Sequence, residues 1–178
     1  AFRAFGAEHQ EVMRRLPHLN ALIGLAIDGV QEGDEGGVVS LREDGRVRVD
    51  YPVGDRLAEA FRTACAAMAR IQLAAGARRV LSLHTTPIEI RSEADLVRLE
   101  RAPWGALEHA IFTAHQMGGC AMGADPATSV VDCRLRHHQE ENLFVVDGSV
   151  FPTSLGVNPS ETIYALAHRA REFVSAAV

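Results

Sequence analysis

Three polar stretches in the last third of the chain carry residue types that could do chemistry. His115 precedes a pair of glycines, Asp147-Gly148 follows an apolar run, and Asn158 stands where a helix is expected to begin. An imidazole can take up a proton near neutral pH. A carboxylate beside a glycine can accept hydrogen bonds from ligand hydroxyls, and the start of a helix favours an anion. Together these residues indicate a base beside a site for an anionic cofactor.

Each feature also has a simpler explanation when taken alone. Asp147-Gly148-Ser149 is typical of a plain turn, and most capped helices bind no ligand at their start. Most histidines serve structural or surface roles. We place seven of the eight in that class: His9, His18, His84, His109, His137, His138 and His168.

A zinc site is the other chemistry that the sequence suggests. Cys120, Cys133, His137 and His138 carry suitable ligand atoms. They lack the short Cys-x-x-Cys spacing of most structural zinc sites, so we predict no metal site. The sequence also contains no nucleophile elbow, no phosphate-binding Walker loop and no His-Glu-x-x-His pattern.

The first half of the chain predicts helices and antiparallel strands. We expect a short helix at residues 8–16, a buried strand at 19–27 and a polar loop at 28–37. Alternating apolar residues on either side of Asp44-Gly45 predict a hairpin of strands 38–41 and 47–51.

A long helix should follow, with Asp55 as its N-cap and Gly76 as its stop. Its predicted inner face is Leu57, Phe61, Ala64, Met68, Ile71 and Ala75. Short strands are expected at 80–83 and 88–90, and a helix capped by Ser92 at 93–100.

The last third predicts an extended stretch at 110–117, a buried strand at 143–146 and a terminal helix. Asn158, Pro159 and Glu161 suit the N-cap, N1 and N3 positions of that helix. Its inner face should be Ile163, Leu166, Ala167, Ala170 and Phe173. The predicted class is α+β (α/β), an antiparallel sheet with flanking helices followed by a strand and a helix. We place the boundary between residues 1–114 and 115–178.

Composition indicates an ordinary soluble globular protein, with 47% hydrophobic and 23% charged residues. The net charge of −5 and the scattered basic residues argue against nucleic-acid binding. The longest apolar stretch, 19–27, is far shorter than the roughly 20 residues of a membrane-spanning helix. Three widely spaced cysteines, Cys65, Cys120 and Cys133, indicate free thiols in a reducing compartment and favour the cytoplasm.

The order and spacing of the three stretches resemble the C-terminal part of the glucose–methanol–choline (GMC) flavin oxidoreductases. The matching patterns are His115-x-x-Gly118-x-Cys120-x-Met122-Gly123, Asn142-Leu-x-Val-x-Asp147-Gly148-Ser149-x-x-Pro152 and Asn158-Pro159-x-x-Thr162. The strong resemblance covers about residues 113–170. Residues 1–114 are compatible with the substrate-binding domain of this family.

The resemblance implies oxidation of a small-molecule alcohol by hydride transfer to FAD. His115 matches the histidine that accepts the hydroxyl proton, and Asn158 matches the position that hydrogen-bonds the substrate oxygen. Asp147 and Gly148 match contacts to the ribityl and pyrophosphate part of FAD. The stretch from Asn158 through Pro159 to Thr162 matches the helix start that faces the flavin pyrimidine.

One departure from the family is large. None of the fifteen glycines falls in a Gly-x-Gly-x-x-Gly phosphate loop. We therefore expect a C-terminal fragment that is inactive and colourless alone, requires the rest of the FAD-binding domain, and self-associates through its unpaired surfaces. The alternative is a free-standing, non-catalytic binding or assembly module. A dinucleotide loop in the reading frame upstream of Ala1 would favour the enzyme.

Overall fold

The computed structural model describes residues 5–30 and 36–177. Contacts divide the chain into two compact units, one of residues 1–26 and 37–112 and the other of residues 27–36 and 113–178. Helices and small antiparallel sheets occur together, which confirms the mixed α+β class. In the described ranges, no helix is both long and apolar enough to cross a membrane.

The first unit contains the predicted hairpin. Strand β1 (Val38–Leu41) pairs antiparallel with β2 (Val47–Asp50). Gly45 turns the chain with φ +77°, a left-handed conformation that glycine adopts without a steric penalty. The Asp44 carboxylate accepts from the amide of Arg46, which fixes the turn.

The long helix α2 (Asp55–Ala74) is also confirmed, with two differences in detail. Its N-cap is Gly54, so Asp55 lies inside the first turn of the helix. The positive end of the helix dipole still stabilises the negative charge of Asp55 there. Its buried residues include Ala66 and Ala69, whereas Ile71 of the predicted inner face is 59% exposed. Leu57 of the predicted inner face is buried, so that face is confirmed in part and is extended by the two alanines.

Helix α2 packs over the main core of this unit. The buried members of that core are Ala69, Ile90, Leu96 and Leu99. Strands β3 (Val80–Leu81) and β4 (Glu89–Ile90) pair antiparallel, as predicted but shorter. Helix α3 (Leu96–Glu100) follows a 3₁₀ turn that Ser92 and Asp95 close with a reciprocal capping box.

Near the amino end, one prediction holds and one is wrong. Helix α1 (Ala7–Arg14) replaces the predicted helix 8–16 within the usual uncertainty of helix ends. Residues 19–27 form no strand, and Ile23 and Leu25 are 66% and 67% exposed. A strand requires a partner, and no sheet of the described chain includes these residues. Residues 31–35 of the predicted loop lie outside the described residues.

The second unit is a network of turns packed on helix α4 (Ser160–Ala177). Its buried core is Val131, Leu135, Val150 and Ala170. The predicted strand 143–146 is wrong, because only Phe144 forms a bridge, with Arg136. Residues 110–117, which were predicted to be extended, form neither a helix nor a strand.

The predicted inner face of α4 is largely right. Ala170 is buried, and Ile163, Leu166 and Phe173 are half-buried. Ala167, which was predicted to lie on the same face, is exposed. The helix therefore covers the core with a narrower stripe than the sequence pattern predicts.

Candidate functional site

The stretches that carry the candidate residues meet at Gly148. A β-carbon at Gly148 would lie 3.2 Å from Cδ1 of Ile163 and 3.4 Å from the carbonyl oxygen of Gln116. Gln116 follows His115, Gly148 follows Asp147, and Ile163 follows Thr162 in the sequence. The structure therefore brings the three stretches together at residues that directly follow His115, Asp147 and Thr162.

Backbone hydrogen bonds hold the first two stretches side by side. The amide of Cys120 donates to the carbonyl of Ser149 at 3.0 Å, and the amide of Met122 donates to the carbonyl of Val150 at 2.8 Å. Main-chain bonds of this kind fix the register of the two segments independently of their side chains. The segment that follows His115 is therefore held against the segment that follows Asp147 by main-chain bonds.

His115 is exposed and has a left-handed backbone, with φ +64°. This conformation costs a non-glycine residue on the order of 1 kcal/mol, and such strain is concentrated at functional sites. The three candidate side chains His115, Asp147 and Asn158 form no hydrogen bond with one another in the part of the chain described here.

Asp147 divides its two oxygens between different tasks. Its Oδ1 accepts from the amide of Ser149 at 2.8 Å and from the Ser149 hydroxyl, capping a 3₁₀ turn at Gly148–Val150. For Oδ2, the residues in the described ranges supply no hydrogen-bond partner, and the side chain is exposed. One carboxylate oxygen therefore stabilises the local turn, while the other stays available to a ligand.

The amino end of α4 differs from the prediction by one residue. The amide of Ile163 donates to the carbonyl of Pro159 at 2.9 Å, so Pro159 accepts the first helical bond and Asn158 precedes the cap. Asn158 and Thr162 are exposed, whereas Pro159 is buried. The amides of Ser160, Glu161 and Thr162 have no acceptor inside the helix, because the ladder has not yet begun. This end presents donors and a positive pole.

The cysteines and histidines of the zinc hypothesis have other surroundings. Nδ1 of His137 accepts from the amides of Gln139 and Glu140, and Nε2 of His138 lies 2.9 Å from Oγ of Ser129. In residues 5–30 and 36–177, no three His, Cys, Asp or Glu side chains are grouped to hold a metal ion.

The sequence did not indicate that two of the histidines, both predicted to have structural or surface roles, are buried beside each other. His84 and His109 are only 5% and 8% exposed, and their rings meet edge to face. No short motif joins them, because they come from segments far apart in sequence. The nearest hint is Trp104, the single tryptophan, which precedes His109 in the sequence.

The groups around Gly148 match the needs of an anionic cofactor that carries hydroxyls. The free oxygen of Asp147 can accept a hydrogen bond from a hydroxyl, and the start of a helix such as α4 favours negative charge. Gly148 presents no side chain to a ligand that approaches the main chain. These residues therefore fit the anionic, hydroxyl-bearing cofactor that the sequence suggested.

The protein is thus a mixed α+β chain whose second unit contains this polar crossing. Comparison with known families makes the class specific. A sequence model of the GMC oxidoreductase family matches residues 34–167. The chain belongs to the GMC oxidoreductase family.

Individual relatives agree with this assignment. A cholesterol oxidase of Acinetobacter baumannii is 54% identical over 65 residues, which cover 36% of this chain and 12% of the relative. A long-chain-alcohol oxidase, FAO4A of Arabidopsis thaliana, is 35% identical over 133 residues, which cover 70% of this chain and 18% of the relative. The chain therefore spans less than a fifth of the length of either relative.

Proposed function

We propose that this chain is the C-terminal portion of an FAD-dependent oxidoreductase that oxidises the CH–OH group of a small-molecule alcohol. The observation that carries the proposal is the crossing at Gly148, where neighbours of His115, Asp147 and Thr162 meet within 3.4 Å of one β-carbon position. Family membership supports the same chemistry.

In this proposal His115 is the general base. Its exposed imidazole accepts the hydroxyl proton, which makes the substrate a better hydride donor. The left-handed backbone directs the chain away from the helical or extended path that a histidine would otherwise follow. Asn158, freed from the cap position, donates from its side-chain amide to the substrate oxygen.

The residues that would hold the cofactor are Asp147, Gly148, Asn158, Pro159 and Thr162. Oδ2 of Asp147 would accept a hydrogen bond from a hydroxyl of the ribityl chain, while Oδ1 keeps its bonds to Ser149. The first turn of α4 would stabilise negative charge on the flavin pyrimidine. FAD, when bound, supplies the acceptor for the hydride.

The remaining part of the FAD site is assigned to a region outside these 178 residues. No Gly-x-Gly-x-x-Gly pattern is present to bind the pyrophosphate. Apolar side chains on one face of the β1–β2 hairpin, including Val39, Leu41 and Val49, are 65% to 75% exposed. Exposed apolar surface of this kind suits contact with the rest of the enzyme or, in the isolated chain, self-association.

The test is replacement of His115 in the complete flavoenzyme. His115→Ala should lower the rate of flavin reduction by substrate on the order of a hundredfold or more, because the general base is lost. Flavin content, measured by visible absorbance, should stay near that of the parent. The substrates to test are a long-chain alcohol and cholesterol, which occur in the names of two relatives.

Two control variants separate the base from its backbone. His115→Asn removes the imidazole but tolerates the left-handed conformation, since asparagine is enriched there. It should lose activity as His115→Ala does. His168→Gln removes an exposed histidine of α4 and should change neither quantity. Flavin reduction at the parental rate in both His115 variants would reject this residue as the base.

A further inference from the structure

His84 and His109 lie opposite each other on two antiparallel segments. The amide of Ala110 donates to the carbonyl of Leu83 at 2.8 Å, and the amide of Thr85 donates to the carbonyl of Glu108 at 2.7 Å. These bonds flank the histidine pair, so the pair itself is a non-hydrogen-bonded one, in which side chains approach most closely. The two ring centroids are 5.6 Å apart.

Aromatic rings enclose both imidazoles. The ring of Trp104 lies 4.5 Å from that of His84 and 4.8 Å from that of His109, between centroids. Phe61 of α2 contacts His109 edge to face at 5.2 Å. The indole nitrogen of Trp104 donates to the carbonyl of Leu99 at 2.9 Å, which anchors the tryptophan to α3.

Three of the four imidazole nitrogens have no hydrogen-bond partner among the described residues. These are Nε2 of His84 and both nitrogens of His109, all of them buried. Only Nδ1 of His84 is engaged, at 2.9 Å from Oγ of Ser82. A proton added to either ring would place a positive charge in this aromatic enclosure, away from water, with at least one buried N–H group poorly satisfied.

The surrounding charges do not remove this penalty. Burial lowers the pKa of His84, and the neighbouring His109 lowers it further. Burial also lowers the pKa of His109. Glu108 and nearby backbone carbonyls act in the opposite direction but do not prevail. From α2 the contacting side chain is the uncharged Phe61, and from the segment after α3 it is Trp104.

We propose that His84 and His109 form a proton-sensitive clasp that holds residues 108–110 against 83–85 and releases them in mild acid. When both rings are neutral they pack against Trp104, and the flanking backbone bonds are kept. When a ring is protonated, the open state is favoured because water can solvate the charge. The clasp does not depend on the function proposed above.

The direction of the pH effect follows from the lowered pKa values. Above about pH 6.5 the histidines are neutral whether the clasp is closed or open, so the full contribution to stability is present. As the pH falls below that value the open state takes up protons first. The contribution is then lost progressively as the pH falls through the pKa values of the closed state.

The single tryptophan provides a direct assay in the protein itself. Trp104 emission should change on acidification from pH 8 to pH 5, with a midpoint below about pH 6.5. Amide hydrogen exchange at Thr85 and Ala110, corrected for the intrinsic effect of pH, should report opening of the two flanking bonds. Their protection should fall by up to about tenfold per pH unit for each proton taken up.

Variants connect both signals to the clasp. The double variant His84→Gln/His109→Gln should lose the acid-dependent change in both signals, whereas His168→Gln on α4 should keep it. Retention of the change in the double variant would overturn the proposal. So would unchanged protection of Thr85 and Ala110 in the parent protein, a measurement that requires no variant to fold. A shift in Trp104 emission with unchanged protection would show that the histidines are protonated while the two segments stay together, which also contradicts the proposal.

Discussion

Replacement of Gly148 by alanine tests the crossing on which the proposed site depends. The new methyl group would lie 3.2 Å from Cδ1 of Ile163, closer than ordinary van der Waals contact, and 3.4 Å from the carbonyl oxygen of Gln116. The side-chain terminus of Ile163 must therefore move by a few tenths of an ångström. The carbonyl of Gln116 can remain in place.

Two opposing effects set the magnitude. Overpacking against Ile163 should cost roughly 1–2 kcal/mol. The backbone of Gly148 is outside the left-handed region, so alanine also stabilises by about 0.4–1 kcal/mol through the unfolded chain. The net expectation is a loss of about 1 kcal/mol of unfolding free energy. In an Ile163→Val background Cδ1 is absent, and Gly148→Ala should then be neutral or stabilising.

The quantity to measure is the coupling energy of the double-mutant cycle. Urea unfolding followed by circular dichroism gives the four free energies, and we expect a coupling of about 1–2 kcal/mol. Gly119→Ala is the matched control, because a β-carbon there would meet only Cβ of Ser149 at 3.8 Å. It should show no coupling to Ile163→Val. A coupling at Gly148 as small as that of the control would refute the crossing.

Two further predictions concern the cap of α3 and the cofactor. Asp95→Asn should lower stability at neutral pH, because Oδ2 of Asp95 accepts from the amides of Arg91 and Ser92, bonds that also lower its pKa. The difference from the parent should disappear as the pH falls below about 4, where the carboxylate is protonated in the unfolded chain and then in the folded one, and unfolding curves across pH check this. The purified 178-residue chain should be colourless, and stoichiometric flavin absorbance in it would contradict the assignment of the phosphate-binding region to another part of the enzyme.

Local signals account for the elements that were predicted correctly. The Asp44-Gly45 turn fixes a hairpin within a few residues, and the periodicity of α2 extends over many turns. The predicted strands at 19–27 and 143–146 depended on apolar character alone. Such a run becomes a strand only when another strand offers its hydrogen bonds, and no sheet of the described chain includes residues 19–27.

The candidate site was predictable as a set of residue types and not as a geometry. The order of His115, Asp147 and Asn158 identified the family, which the comparisons confirm. Their roles stay predictions. The contact of Gly148 with Ile163 and Gln116 arises from packing between distant segments, and so does the enclosure of His84 and His109. Sequence spacing carries no signal for either contact.

The divided carboxylate of Asp147 makes an asparagine at this position unusually informative. Asparagine has one oxygen and one NH₂ group where aspartate has two oxygens. If its oxygen keeps the two bonds from Ser149, its NH₂ group must occupy the place of the free Oδ2. The local turn would then remain intact while the polarity offered to a ligand hydroxyl is reversed from acceptor to donor. One exchange of atoms therefore separates the folding role of this side chain from its binding role.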